Sequence, residues 1–151
     1  MITVKGDLVK LAISGEFDLI IHGCNCFCTM GAGIAKTIKQ KFPEAYQADL
    51  KTRKGEKSKL GSISWAETET GNGKLVVVNG YTQFNWRGSG RKADYDAIRE
   101  VFKKVKKQFS GLRIGYPAIG AGLAGGDWQI ISEIIEDELK DENHVFVEYQ
   151  K

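Results

Sequence analysis

The residues best suited to chemistry in this sequence are His22, Asn25 and Asp127, and each lies beside a glycine-rich stretch. A histidine exchanges protons near neutral pH, so His22 is a candidate general acid or base. Asn25 is a neutral donor and acceptor suited to hydroxyls or to a transferring phosphoryl group. Asp127 can orient a water or protonate a leaving oxygen. Each type also has a structural use. A buried histidine can sit in the core with a hydrogen-bond partner. Asn favours turns, and Asp directly before Trp128 is a good helix N-cap.

The two glycine-rich stretches are Met30-Gly31-Ala32-Gly33-Ile34-Ala35-Lys36 and Gly120-Ala121-Gly122-Leu123-Ala124-Gly125-Gly126-Asp127. Each follows a strand pattern and opens a helix pattern. Small residues let the backbone approach a ligand, and a helix start offers unpaired N–H groups and a positive dipole. Two such cradles at strand ends predict a diphosphate held between them. Neither is the common kind. A Walker A loop needs glycine where Ala35 and Met30 stand. The Rossmann fingerprint needs glycine at Lys36 and an acidic residue ending the next strand, where this chain continues as helix.

Cys24, Cys26 and Cys28 with His22 invite a zinc reading, which the spacing opposes. Side chains at i and i+2 of an extended chain lie about 7 Å apart, whereas thiolates bound at ~2.3 Å to one tetrahedral zinc must approach within ~4 Å of each other. A phosphocysteine mechanism would need a phosphatase-type loop ending in Arg, which is absent. Buried free thiols are the expectation, with no metal and no cofactor. Tyr81, Phe84, Trp86, Phe146 and Tyr149 are candidates to stack on a base or wall a sugar.

The elements that must position these residues alternate. Strands are expected over residues 2–5, 17–22, 62–69, 75–79, 114–118 and 145–149, and helices over 34–42, 44–53, 94–109 and 128–140. Gly71-Asn72-Gly73 between two strand patterns predicts a hairpin. Asp94 predicts an N-cap, followed by an apolar stripe at Ile98, Val101, Phe102, Val105 and Phe109. Residues 84–91 read as a long loop. The pattern predicts one α/β domain over 1–151, with helices on both faces of a mixed sheet.

Composition bounds the partners. The net charge is +3, from 22 basic and 19 acidic residues, and the Lys and Arg clusters at 51–59 and 103–107 read as solvated faces. Nucleic-acid binding usually needs a stronger basic field, with aromatics interleaved in single-strand binders. No apolar run is long enough to span a membrane. The start of the chain lacks a secretory pattern, so a reducing cytoplasm and a monomer are expected. Glycine, at 18 of 151 residues, exceeds the usual ~7%.

Taken together, these residues resemble the macro domain family over essentially the whole chain. Val4-Lys5-Gly6-Asp7-Leu8 is similar to its opening signature. His22-Gly23-Cys24-Asn25-Cys26 with Met30 to Ala35 is similar to its first loop. Tyr116-Pro117-Ala118-Ile119-Gly120-Ala121-Gly122-Leu123 with Asp127-Trp128 is similar to its second. His22, Cys24, Asn25 and Cys26, with Tyr81-Thr82-Gln83, resemble most the branch that includes the yeast-type ADP-ribose 1''-phosphate phosphatase and phage relatives. The resemblance implies a three-layer α/β/α fold with a mixed, mostly parallel sheet of about six strands. It also implies a pocket for ADP-ribose derivatives, with Asp7 at the adenine amino group and Asn25 at the distal ribose. The implied ligand-binding set is Gly6, Asp7, Leu8, Cys24, Asn25, Met30, Gly31, Ala32, Gly33, Ile34, Ala35, Tyr81, Thr82, Gln83, Ile119, Gly120, Ala121, Gly122, Leu123 and Ala124.

The expected reaction is metal-independent hydrolysis of ADP-ribose 1''-phosphate to ADP-ribose and phosphate, with His22, Asn25 and Asp127 catalytic. The alternatives are removal of ADP-ribose from modified protein or nucleic acid, and a non-catalytic reader. Hydrolase branches differ at informative positions. Phe27 and Ala35 stand where one carries Asn and Asp; Ala124 stands where another carries Asp, and Tyr81-Thr82-Gln83 offers no Lys.

Overall fold

The computed structural model describes residues 1–88 and 90–151; Ser89, in the loop expected over 84–91, lies outside the described residues. The elements are β1 (Ile2–Gly6), α1 (Leu8–Ile13), β2 (Leu19–Cys24), α2 (Gly33–Lys41), α3 (Pro43–Leu50), β3 (Ile63–Glu69), β4 (Lys74–Tyr81), α4 (Tyr95–Phe109), β5 (Ile114–Tyr116), α5 (Trp128–Glu138) and β6 (His144–Tyr149), with one 3-10 turn over Lys57–Lys59. The strands form one six-stranded sheet in the order β1-β6-β5-β2-β4-β3. All neighbours are parallel except the β3–β4 hairpin. No described helix is long and apolar enough to cross a membrane.

Side chains alternate across the pleat, and this sorts the core into two layers. Leu19, Ile21, Val78, Ile114 and Tyr116 pack with Ile98, Val101, Phe102 and Val105 of α4 and with Ile131, Ile134 and Ile135 of α5. Ile20, Leu75, Val77 and Val147 pack on the opposite face with Leu8, Val9 and Ala12 of α1, Ile38 of α2, and Ala45 of α3. The result is the expected α/β/α sandwich. The α4 stripe is the clearest contribution: its four innermost apolar residues are fully buried, each stabilising by roughly 1.5–3 kcal/mol relative to exposure.

Several boundaries differ from expectation. The helix α1 was not expected. It has only six residues, too few for a period to show, although Asp7 caps it by accepting from Lys10 N at 3.1 Å. Strand β2 begins two residues later than expected and runs on to Cys24. Strand β4 runs on to Tyr81 because its register with β2 continues through Gly23↔Gly80 and Cys24↔Tyr81. Strand β5 stops at Tyr116, before Pro117, which has no N–H to offer the ladder.

Gly115 faces Phe17 across the sheet so closely that an added Cβ would lie 2.8 Å from two ring carbons. Gly115→Ala is expected to destabilise the fold by about 1–3 kcal/mol through overpacking. In urea unfolding this appears as a lower midpoint at unchanged slope. A loss below about 0.5 kcal/mol, the level of an ordinary surface substitution, would show that Phe17 swings aside at little cost.

Candidate functional site

Strands β1, β6, β5, β2 and β4 run parallel, so their carboxyl ends share one edge of the sheet. The chain leaving β2 leads to β4 on one side, and the chain leaving β5 leads to β6 on the other. Between them a crevice opens, as expected where connections diverge in an open α/β sheet. A cleft of about 750 Å³ lies there. Its floor is Gly23, Cys24, Thr82 and Ile119, and its walls are the segments after β2, β4 and β5.

The first wall is residues 25–35. Asn25 is buried and folds its amide into its own turn: Oδ1 accepts from Phe27 N at 2.8 Å, and Nδ2 donates to Thr29 Oγ1 at 2.7 Å. Helix α2 then begins without a side-chain cap at Ala32, whereas Asp7, Asp94 and Asp127 cap α1, α4 and α5. The first turn of a helix leaves its N–H groups without intrahelical partners. Those of Gly33, Ile34 and Ala35, which line the cleft, therefore remain to meet a ligand. Gly33 has φ +59°, a conformation that favours glycine.

The second wall is residues 117–124. The loop folds on itself, with Ala121 N on Ala118 O at 3.1 Å and Gly126 N on Gly120 O at 2.7 Å. Among the described residues, the N–H groups of Gly122, Leu123 and Ala124 make no backbone hydrogen bond. The walls approach each other at the mouth. Leu123, 80% exposed, brings a methyl within 3.9 Å of where a Cβ on Gly33 would stand. The third wall, after β4, supplies Gln83, Trp86 and Lys92. It is tied to the second by Lys92 N and Ala93 N, which both donate to Ala124 O, at 2.7 and 3.1 Å.

Of the expected site residues, Cys24, Asn25, Gly31, Ala32, Gly33, Ile34, Ala35, Thr82, Gln83, Ile119, Gly120, Gly122, Leu123 and Ala124 line one cleft. Ala121 packs against the core beside it, Met30 is buried beneath the first loop, and Leu8 lies in the α1 layer. Gly6 and Asp7 stand at the end of β1, on the cleft's edge of the sheet but not in its lining. Gly23, Thr29, Lys92, Pro117 and Ala118 also line the cleft and were not singled out as ligand residues. Among the described residues that line the cleft, Lys92 is the sole formally charged side chain. Its signal is its place two residues before the Asp94 cap. Of the candidate stacking aromatics, only Trp86 lines the cleft.

Three expected roles do not fit their surroundings. His22 is fully buried outside the cleft, with Nε2 donating to Asn79 Oδ1 at 2.7 Å. Burial pushes its pKa down to about 4, against an opposing pull from the Asn79 bond. It is a core histidine and cannot touch a substrate here. Asp127 caps α5 by accepting from Gln129 N at 2.9 Å and does not line the cleft. Tyr81 is buried, its hydroxyl donating to Asp49 Oδ1 at 2.7 Å and meeting Ser64 Oγ at 2.8 Å. These groups form a polar layer beneath the first loop. Asn79 Nδ2 donates to Ala45 O and Ser64 Oγ, and Lys59 Nζ donates to Cys26 O at 3.1 Å.

The thiols diverge. Cys28 Sγ meets Asp49 O at 3.2 Å, Cys26 Sγ reaches toward Gln83 O, and Cys24 Sγ lies 3.5 Å from His22 Nε2. Burial pushes the Cys24 and Cys26 thiols up, which keeps them protonated and poorly nucleophilic. Among the described residues no cluster of three His, Cys, Asp or Glu side chains is placed to hold a metal ion.

The macro domain family model matches residues 21–135. The chain belongs to the macro domain family. It is 37% identical over 138 residues to an uncharacterized 17.5 kDa protein of Enterobacteria phage T4, covering 88% of this chain and 86% of that one. It is 26% identical to the ADP-ribose 1''-phosphate phosphatase of Candida albicans, covering 89% and 90%. It is 27% identical to the DNA ADP-ribosyl glycohydrolase of Mycobacterium tuberculosis, where the match covers 85% of this chain but only 36% of the relative. The fold also matches the solved macrodomain of Mycobacterium tuberculosis DarG, with TM-score 0.75 at 22% identity over 100% of this chain and 98% of that one.

His22 yields a prediction with a defined sign. Its pKa is about 4 when folded, against an ordinary histidine value of 6.5. Between those values the unfolded chain binds more protons, so stability falls as the pH drops from 6.5 toward 4, by about 3 kcal/mol from this group. The urea midpoint of wild type is expected to fall toward that of His22→Gln over this range. An imidazole of the folded protein that titrates near pH 6.5 by NMR and is assigned to His22 would contradict this placement.

Proposed function

We propose that this protein binds ADP-ribose derivatives in the cleft and hydrolyses the bond to the group carried at the 1'' position of the distal ribose. The observation that carries this reading is the pairing of two backbone cradles, the uncapped start of α2 and the 122–124 turn, in the lining of one cleft that Asn25 also lines. A diphosphate is the anion suited to two facing sets of N–H groups, with Lys92 able to approach it as a point charge. Asn25 and Thr29 then meet the distal ribose. Asp7 stands two strands from β5 on the same edge of the sheet, where an adenine amino group could reach its carboxylate.

Phosphate is the first candidate for the 1'' group, supported by the similarity to the Candida phosphatase over nearly the full length of both chains. No Asp, Glu or His lines the cleft among the described residues, so proton transfer falls to the substrate and water. A phosphate oxygen accepts a proton as water attacks phosphorus and the P–O bond breaks. The ribose oxygen leaves with the bonding pair and takes up a proton. The protein's contribution is positioning and electrostatic stabilisation by fixed N–H dipoles. A macromolecule at the 1'' position is the second reading, favoured by Trp86, which is 43% exposed at the cleft wall, and supported by the similarity to the glycohydrolases.

The test is phosphate release from ADP-ribose 1''-phosphate, run beside calorimetric titration with ADP-ribose. Asn25→Ala is expected to lower turnover at least about tenfold, the scale of one lost transition-state hydrogen bond. Asp127→Ala is expected to cost about 1 kcal/mol of stability as a lost cap and to leave turnover within about threefold. ADP-ribose binding without phosphate release would move the reading to ADP-ribosylated macromolecules, or to a reader if those too stay intact. Absence of ADP-ribose binding would overturn the reading altogether.

A further inference from the structure

Beneath the first loop lies a buried lysine beside a thiol, and ligand binding uses neither. Lys59 closes the 3-10 turn and is 6% exposed, an unusual place for a lysine. It pairs with no carboxylate among the described residues. Its Nζ donates instead to Cys26 O at 3.1 Å, lies 4.6 Å from the centre of the Tyr81 ring and stands 3.7 Å from Cys28 Sγ. Cys28 Sγ also donates to Asp49 O at 3.2 Å and meets Thr52 Oγ1 at 3.5 Å.

Three observations set this cluster apart from ordinary packing. Cys28 holds φ +57°, a backbone conformation that residues other than glycine seldom adopt. It is also the most exposed of the three thiols, at 8% against 5% for Cys24 and 0% for Cys26, so a small oxidant reaches it first. Asp49 is 1% exposed, and while its Oδ1 accepts from the Tyr81 hydroxyl, its Oδ2 has no hydrogen-bond partner. Buried polar atoms are rarely left this way. Burial pushes this carboxyl up, against the pull of the Tyr81 bond and of the Lys59 charge, which favours its taking up a proton.

We infer that Cys28 and Lys59 are the site of a reversible oxidative cross-link, an S–N bond formed with hydrogen peroxide as the oxidant. The Cys28 sulfur attacks one peroxide oxygen and the O–O bond breaks. The departing oxygen leaves as water with the thiol proton, and Cys28 becomes a sulfenic acid. Sulfur loses two electrons and peroxide gains them. Lys59 Nζ passes one proton to Asp49 Oδ2 and attacks the sulfenic sulfur. The S–O bond breaks, and the hydroxyl leaves as water with a second proton from the nitrogen. Excess thiol reverses the bond by attacking sulfur, expelling the amine and then reducing the mixed disulfide. An S–N bond is far shorter than the 3.7 Å contact, so closure draws the thiol away from Asp49 O. Cys28 lies between Asn25 and Thr29, which both line the cleft. The cross-link therefore shifts the turn that presents them, a coupling that rests on the ligand reading proposed above.

The experiment treats the protein with hydrogen peroxide and reads intact mass and tryptic peptides, with ADP-ribose titrated before and after. Wild type is expected to become lighter by two hydrogens, with the peptide carrying Cys28 joined to one left uncut after Lys59. Dithiothreitol is expected to restore the original mass. Cys26→Ser is expected to keep the cross-link, whereas Cys28→Ser and Lys59→Gln abolish it. Asp49→Asn keeps an oxygen for Tyr81 and is expected to slow closure at least about tenfold, the scale of a lost proton acceptor, while dimedone captures at least as much sulfenic acid as in wild type. A disulfide joining Cys26 to Cys28, full cleavage after Lys59 in the oxidised protein, or a cross-link that persists in Lys59→Gln would each overturn the site. The cross-linked protein is expected to bind ADP-ribose at least about threefold more weakly, and unchanged affinity would overturn the coupling to the cleft. A reduced wild type that does not bind ADP-ribose would instead overturn the proposed function, and the mass and peptide readouts would still decide the cross-link.

Discussion

Everything in this structure that bears on a ligand depends on the double burial of β2. Leu19, Ile20 and Ile21 are fully buried, packed by α4 and α5 on one face and by the α1, α2 and α3 layer on the other. Parallel ladders to β4 and β5 fix its position on both sides. Because the neighbours run parallel, the three segments leaving β2, β4 and β5 must emerge together. Because the connections then part, nothing fills the space between them. The cleft follows from topology, and loop sequence only decides what it can hold.

What the loops provide is mainly backbone. Three helices end their N-termini with an aspartate that satisfies an orphan N–H, and α2 does not. Among the described residues the cleft keeps its carboxylates elsewhere and presents dipoles, hydroxyls, two side-chain amides and one lysine. A surface of this kind attracts an anion without placing a competing negative charge in the path. Beneath it, the polar layer of His22, Asn79, Ser64, Tyr81 and Asp49 ties β2 to β4, β3 and α3. Its groups are held neutral or hydrogen-bonded by burial, so the layer fixes geometry and does not exchange protons with substrate.

The sequence made much of this legible, and where it misled the reason is physical. The glycine runs, the Asn-Gly hairpin and the α4 stripe are local signals, and they located the sheet, the layers and two walls of the cleft. His22 was ambiguous because a strand-ending histidine reads the same whether it faces a cleft or the core, and only the register with Asn79 decides between them. Asp127 carried both a capping and a catalytic reading, and the Gln129 bond shows it as a cap. Helix α1 is too short for periodicity to reveal. The third wall was the least readable: Trp86 and Lys92 sit in a loop without period, and their place is set by contacts with Phe27 and Ala124, far away in sequence.

The central claim is that the uncapped start of α2 is one of two cradles for a diphosphate, and Ala32→Asp tests it most directly. Ala32 already has the extended backbone of an N-cap, with φ −145° and ψ 157°. An aspartate there is expected to stabilise the fold by about 1 kcal/mol by capping the helix while placing a carboxylate where the diphosphate must sit. Calorimetric titration with ADP-ribose, paired with urea unfolding, is predicted to show a more stable protein that binds at least about a hundredfold more weakly, the scale set by roughly 3 kcal/mol of charge repulsion and lost N–H contacts. A more stable variant that binds ADP-ribose as tightly as wild type would contradict the account.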